Sequence, residues 1–222
     1  QSITLGSIAI ADGSGGGLAS NYNLTTGTFD ISQKWVSVGG QKIYDATTTV
    51  SSSDLEVTGE VTGESISITG TGSVTDKNVG SGKTIDISGL SLSDGSHSAS
   101  NYTIGTTSFA ITRRNLSISG EKVYDGTGTV LASQIDTVNT AGGETLTISG
   151  EGSVSLPSVG TNKSITLNTL GISDGTSGTI GLASNYTLDS GSFDITTKPI
   201  TLSGSRQYDG TTDVASSDLT LI

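Results

Sequence analysis

The chain has 222 residues, with 32 Gly, 2 Pro, no Cys, no Met and a charged fraction of only 14%. Its 21 acidic and 10 basic residues give a net charge of −11, which lacks the clustered Lys and Arg that neutralise phosphates, so nucleic acid is excluded as an expected partner. Without cysteine there is neither a disulfide framework nor a thiolate metal site. No apolar run reaches the roughly 18 residues of a membrane helix, so no membrane insertion is expected.

Residues 1–32 end in "ASNYNLTTGTFDIS", where the apolar parity slips between Leu24 and Phe29 across Gly27. From residue 33 the pattern sharpens. Val36, Val38 and Tyr44 share one parity, the period-2 signature of a half-buried strand. Asp45 follows Tyr44 and precedes small residues, which predicts a turn whose carboxylate accepts nearby N–H groups. "SSSDL" and, later, "LASQI" each predict one helical turn. Ile66, Ile68 and Val74 predict another strand, and a slip between Ile87 and Leu90 across Gly89 predicts a bulge or tight turn. "GSHSAS" at 95–100 has loop composition. Tyr102 and Ile104 against Phe109 and Ile111 then repeat the earlier slip.

The same order recurs to the end of the chain. Tyr22, Tyr102 and Tyr186 are 80 and 84 residues apart, and Tyr44, Tyr124 and Tyr208 show the same spacings. "ITGTGSV" at 68–74 answers "ISGEGSV" at 148–154, and "NVGSGK" at 78–83 answers "SVGTNK" at 158–163. The length difference falls in one segment, "GSHSAS" against "GTSGTIGLAS", as an exposed loop allows. Four segments follow: 1–32, the C-terminal part of a repeat; 33–112 and 113–196, two complete repeats; and 197–222, the N-terminal part of another. The chain is expected to come from a longer array, the alternative being that ragged ends of different molecules complete each other by strand addition.

About 80 residues suffice for a core of their own, whereas shorter solenoid repeats need their neighbours. The predicted fold class is all-β: tandem antiparallel β-sandwich-like modules of six or seven strands, arranged as an elongated rod. The expected joints are short, at "ISQKW" (31–35), "ITRRN" (111–115) and "ITTKP" (195–199).

At "KVYDGT" and "QYDGTT", with "NVGSGK" and "ASNYT" in fixed order around them, the chain resembles the YDG-type repeat of very large bacterial surface proteins, including filamentous-haemagglutinin-like adhesins exported by two-partner secretion. The resemblance covers essentially the whole chain, with Ala46 departing where Gly126 and Gly210 stand. It implies a secreted or cell-surface location, associated with the outer membrane of a Gram-negative bacterium, and a role in adhesion and biofilm. It brings no catalytic residues.

The candidate positions are therefore structural. Tyr22, Tyr44, Tyr102, Tyr124, Tyr186 and Tyr208 are expected in the repeat core, and Asp45, Asp125 and Asp209 in turns. Asn21, Asn101 and Asn185 precede Tyr in each copy and are expected to end the loop through a local side-chain bond. Trp35, whose counterparts are Asn115 and Pro199, has the opposite parity to Val36 and Val38 and is a candidate contact for a ligand or a preceding module. No catalytic, cofactor or metal site is assigned. Calcium at Asp45, Asp125 and Asp209, or at Asp12, Asp94 and Asp174, is the minor alternative, because no EF-hand-like run is present. The expected partners are neighbouring repeats of the chain, with host or matrix glycans or copies of itself beyond them. Two function classes compete: a non-catalytic stalk or spacer, and a multivalent module holding glycan or protein weakly. An enzyme is not expected, since no nucleophile stands with a base.

Overall fold

The computed structural model describes residues 1–222, save the side chains of Val138 and Ser190. The first complete repeat contains β1 (Lys34–Ile43), β2 (Thr49–Ser51), β3 (Leu55–Thr58), β4 (Ile66–Val74), β5 (Gly80–Lys83), β6 (Ile85–Asp86), β7 (Leu90–Asp94) and β8 (Tyr102–Thr112). The second contains β9 (Arg114–Val123), β10 (Thr129–Leu131), β11 (Ile135–Val138), β12 (Leu146–Ser149), β13 (Glu151–Ser153), β14 (Gly160–Ser164), β15 (Gly171–Asp174) and β16 (Tyr186–Thr196). Each repeat thus has eight strands, rather than the six or seven expected. The predicted single turns at Ser52–Asp54 and Ala132–Gln134 are 3-10 turns, and the "ASN" stretches at Ala99–Asn101 and Ala183–Asn185 form further ones.

The two repeats build the same principal sheet, ordered β3-β1-β8-β5 in the first and β11-β9-β16-β14 in the second. Facing strands form β2-β4-β6 with β7 on β4 in the first repeat, and the pairs β10-β13 and β12-β15 in the second. Gly70 and Gly150 explain how one run serves two pairings: at φ 94° and 92° they turn the backbone where an added Cβ would meet a carbonyl oxygen at 2.1 Å. β4 runs through this point, whereas its counterpart is divided there into β12 and β13.

The expectation of wholly antiparallel sheets is corrected here. β16 pairs with β9 in parallel, from Tyr186 beside Arg114 to Thr196 beside Val123. Alternation tells which face a residue takes, and it carries no information about strand direction. The predicted slip is a bulge within this pair, where register shifts between Leu188 and Gly191. The slip at Gly89 is a tight turn, closed by the Leu90 N–H on the Ile87 carbonyl at 2.9 Å.

Inward-facing residues of one parity make the cores. In the second repeat Ile118, Val130, Val154, Ile165, Phe193 and Ile195 are buried together, and in the first Val36, Ile66 and Tyr102. Each such burial stabilises by about 1.5–3 kcal/mol. Tyr22, Tyr124 and Tyr208, expected in the core, are instead 69%, 40% and 88% exposed. Residues 1–32 offer no strand against Tyr22, only the bridge between Ser2 and Thr28. Around Tyr208 the only strands are β17 (Leu202–Gly204) and β18 (Leu219–Leu221), paired with each other.

The chain divides into two compact units: Gln1–Gly40, Thr49–Val74 and Lys83–Phe109 in one, Gln41–Thr48, Thr75–Gly82 and Ala110–Ile222 in the other. This division does not follow the repeat. Residues 41–48, 75–82 and 110–112 of the first repeat belong to the second unit. No helix among the described residues is long and apolar enough to cross a membrane.

Candidate functional site

The YDG turn is a preformed clamp. Asp45 Oδ1 accepts the Thr47 N–H and the Thr47 hydroxyl, both at 2.9 Å, while Lys42 Nζ, on a nearly buried side chain, meets the carboxylate at 2.8 Å. Lys122, Asp125 and Thr127 repeat the arrangement, and Arg206, Asp209 and Thr211 do so with a guanidinium. The Thr127 N–H and then the Lys122 ammonium hold the Asp125 carboxyl down to about 2. Ala46 occupies the left-handed region at φ 66°, where the later copies carry Gly126 and Gly210 at φ 83° and 87°.

What the clamp presents is the tyrosine. Tyr44, 0% exposed, donates its hydroxyl to Glu144 Oε1 at 2.7 Å; Tyr186 donates to Oε2 at 2.7 Å and accepts the Ala141 N–H at 3.1 Å. Lys77 Nζ reaches Glu144 Oε1 at 2.8 Å. The two rings meet edge to face at 5.5 Å and 80°. Beside them, Asn185 accepts the Val79 N–H at 2.9 Å and donates to the Asn78 amide oxygen at 2.8 Å. Tyr44, Lys77, Asn78 and Val79 all come from 41–48 and 75–82. These bonds are the physical reason those segments group with the second unit.

Burial by itself would raise the Glu144 carboxyl, but the Lys77 ammonium and the two hydroxyls outweigh it and hold the group below its ordinary value. The hydroxyls move the other way. Burial and then the Glu144 carboxylate push Tyr186 up to about 12 and raise Tyr44 as well. At neutral pH the seat is therefore one carboxylate, one ammonium and two neutral phenols, with each carboxylate oxygen accepting charge-assisted bonds. Every bond here holds a segment in place.

A family model, the YDG domain, matches residues 33–109 and 112–193. The chain belongs to the YDG domain family. No curated protein and no solved structure matches it. Within these YDG domains sequence reasoning found the aspartate turns and missed Glu144, whose partners lie up to 100 residues away. The available signal was Glu64, the acid at the matching position one repeat earlier.

The expected local bond of the loop asparagine is corrected: Asp94 and Asp174 instead take the N–H groups of Ala99 and Ala183, at 2.8 and 2.7 Å, as Asp12 takes that of Ala19 at 2.6 Å. This frees Asn185, 1% exposed, to reach Val79. Trp35 is 76% exposed and lies over Gly105 of β8 in its own YDG domain, where an added Cβ would come within 3.3 Å of the indole. Tyr124 is 40% exposed, its N–H on the Thr196 carbonyl at 2.9 Å just as the Tyr44 N–H is on Thr112. Among the described residues no three His, Asp or Glu side chains gather as a metal site, and Asp45, Asp125 and Asp209 spend their oxygens on their own turns.

Proposed function

We propose that these YDG domains are non-catalytic spacer repeats of a bacterial cell-surface or extracellular filamentous adhesin, supporting adhesion and biofilm formation. The observation behind this reading is the seat at Glu144. The most buried polar chemistry of the described residues joins the YDG turn of one repeat to the loops of the next, and so serves connection. A spacer gains from such joints, because each added repeat brings both the turn and the seat. The setting, secreted and outer-membrane-associated in a Gram-negative organism, rests on the resemblance to adhesin repeats.

A second reading is weak multivalent binding of glycan or protein, favoured by the exposed indole of Trp35, since an exposed aromatic face suits a sugar ring. A glycan array with the whole chain separates the two. The spacer reading predicts no glycan signal above background, with Trp35→Ala unchanged; a sugar signal abolished by Trp35→Ala would replace it with the binding reading. Adding calcium should leave the melting temperature unchanged.

A further inference from the structure

The strands that open and close the second repeat lie side by side and point the same way. β9 begins at Arg114 and β16 ends at Thr196, and their registered pairs run from Tyr186 beside Arg114 to Thr196 beside Val123. Chain direction then decides what a pull on the repeat does. Tension enters at the start of β9 and leaves at the end of β16, and in a parallel pair these points lie at opposite ends of the seam, about 30 Å apart at ~3.3 Å per residue. The strands are drawn past each other. All the bonds of the seam resist together, whereas an antiparallel pair would bring entry and exit to one end and open bond by bond.

The seam is also central. β9 is flanked on its other side by β11 and β16 by β14, each antiparallel. Ile118 of β9 and Phe193 and Ile195 of β16 are buried in one apolar cluster, which keeps water from the inner face of the pair. At the bulge the two backbones come so close that a Cβ on Gly191 would lie 2.3 Å from the Ile118 carbonyl oxygen. Two bonds lock the exit: the Tyr124 N–H donates to the Thr196 carbonyl at 2.9 Å, and the Thr196 hydroxyl donates to the Lys122 carbonyl at 3.2 Å. The first repeat has the same locks, from the Tyr44 N–H to the Thr112 carbonyl and from the Thr112 hydroxyl to the Lys42 carbonyl. Only Arg113 separates β8 from β9, so a load leaving one closing strand passes to the next opening strand without slack.

We propose that the β9–β16 seam is a tension-bearing clamp, through which the repeat carries load along the chain at forces that would open the same fold from one end. Resistance to a pull is set by the barrier to unfolding along the direction of the pull, and here that direction shears the seam as a whole. The spacer reading supplies only the source of the load. Resistance of the seam is a property of the fold, so a pulling experiment decides it whatever the glycan array shows.

Single-molecule pulling of the full chain tests the clamp by direction alone. The chain has no cysteine, so a pair of thiol substitutions fixes where the load is applied. Arg113→Cys with Thr197→Cys loads the seam lengthwise. Val123→Cys with Thr197→Cys moves one handle to the far end of β9, beside the exit of β16, and peels β16 from its last residue. All three positions are exposed. A lengthening of about 250 Å on rupture, expected for either pair at ~3.5 Å per freed residue, shows that the repeat was folded. At one loading rate the first pair should rupture at a force at least about 1.5 times that of the second. A smaller ratio, or lengthening of the first pair without a force peak, would overturn the proposal.

Discussion

Glu64 and Glu144 occupy matching positions in consecutive repeats and each bonds a tyrosine hydroxyl, yet their surroundings differ. Around Glu144 a second tyrosine, a lysine and a buried asparagine complete the seat, and its side chain is 1% exposed. Around Glu64 the Tyr102 bond is in place and the rest is open. One repeat therefore builds only half of this site. The difference comes from the YDG turn, which is delivered by a different stretch of chain and brings Tyr44 with Lys77 close behind.

Removing the acid is the strongest way to break that comparison. Glu144→Ala should destabilise the second unit by about 2–4 kcal/mol, since it leaves the buried hydroxyls of Tyr44 and Tyr186 without their acceptor. Glu64→Ala should cost about 1 kcal/mol in the first unit. Denaturant titration of each variant reads both. Deleting single hydroxyls sharpens it further. Tyr44→Phe removes a bond to a carboxylate and should cost about 1.5–3 kcal/mol, while Tyr124→Phe, half out in solvent, should stay within about 0.5 kcal/mol.

Acidification tests the Glu144 seat by charge. Because the Glu144 carboxyl is held below its ordinary value, its contribution is fully present above about 4.5, the unfolded value, and is lost as pH falls through the lower folded value. Melting curves below pH 4.5 should therefore fall more steeply for the wild type than for Glu144→Gln. A further test concerns fit. Gly142→Ala should cost about 1–2 kcal/mol at φ 57°, and about 0.5–1 kcal/mol of the loss should return with Ala46→Gly, which removes the opposing methyl.

The sequence shows what is local. Parity at Val36 and Val38, the bulge after Leu188 and the aspartate turns rest on neighbouring residues and can be read directly. The parallel pairing of β9 with β16 depends on direction, which alternation does not encode. Glu144 was invisible for a related reason: an acid in a Gly-rich loop looks solvated until Tyr44 is brought to it. Tyr22, Tyr124 and Tyr208 share repeat positions with the buried Tyr44, Tyr102 and Tyr186, but burial needs the strand and the acid that only those three meet among the described residues.

The account stands most directly on the energetic link between Tyr44 and Glu144. A double-mutant cycle with Tyr44→Phe and Glu144→Gln, read by equilibrium unfolding, should give a coupling of about 1–3 kcal/mol. Additivity of the two substitutions to within about 0.5 kcal/mol would contradict a seat built around the YDG tyrosine.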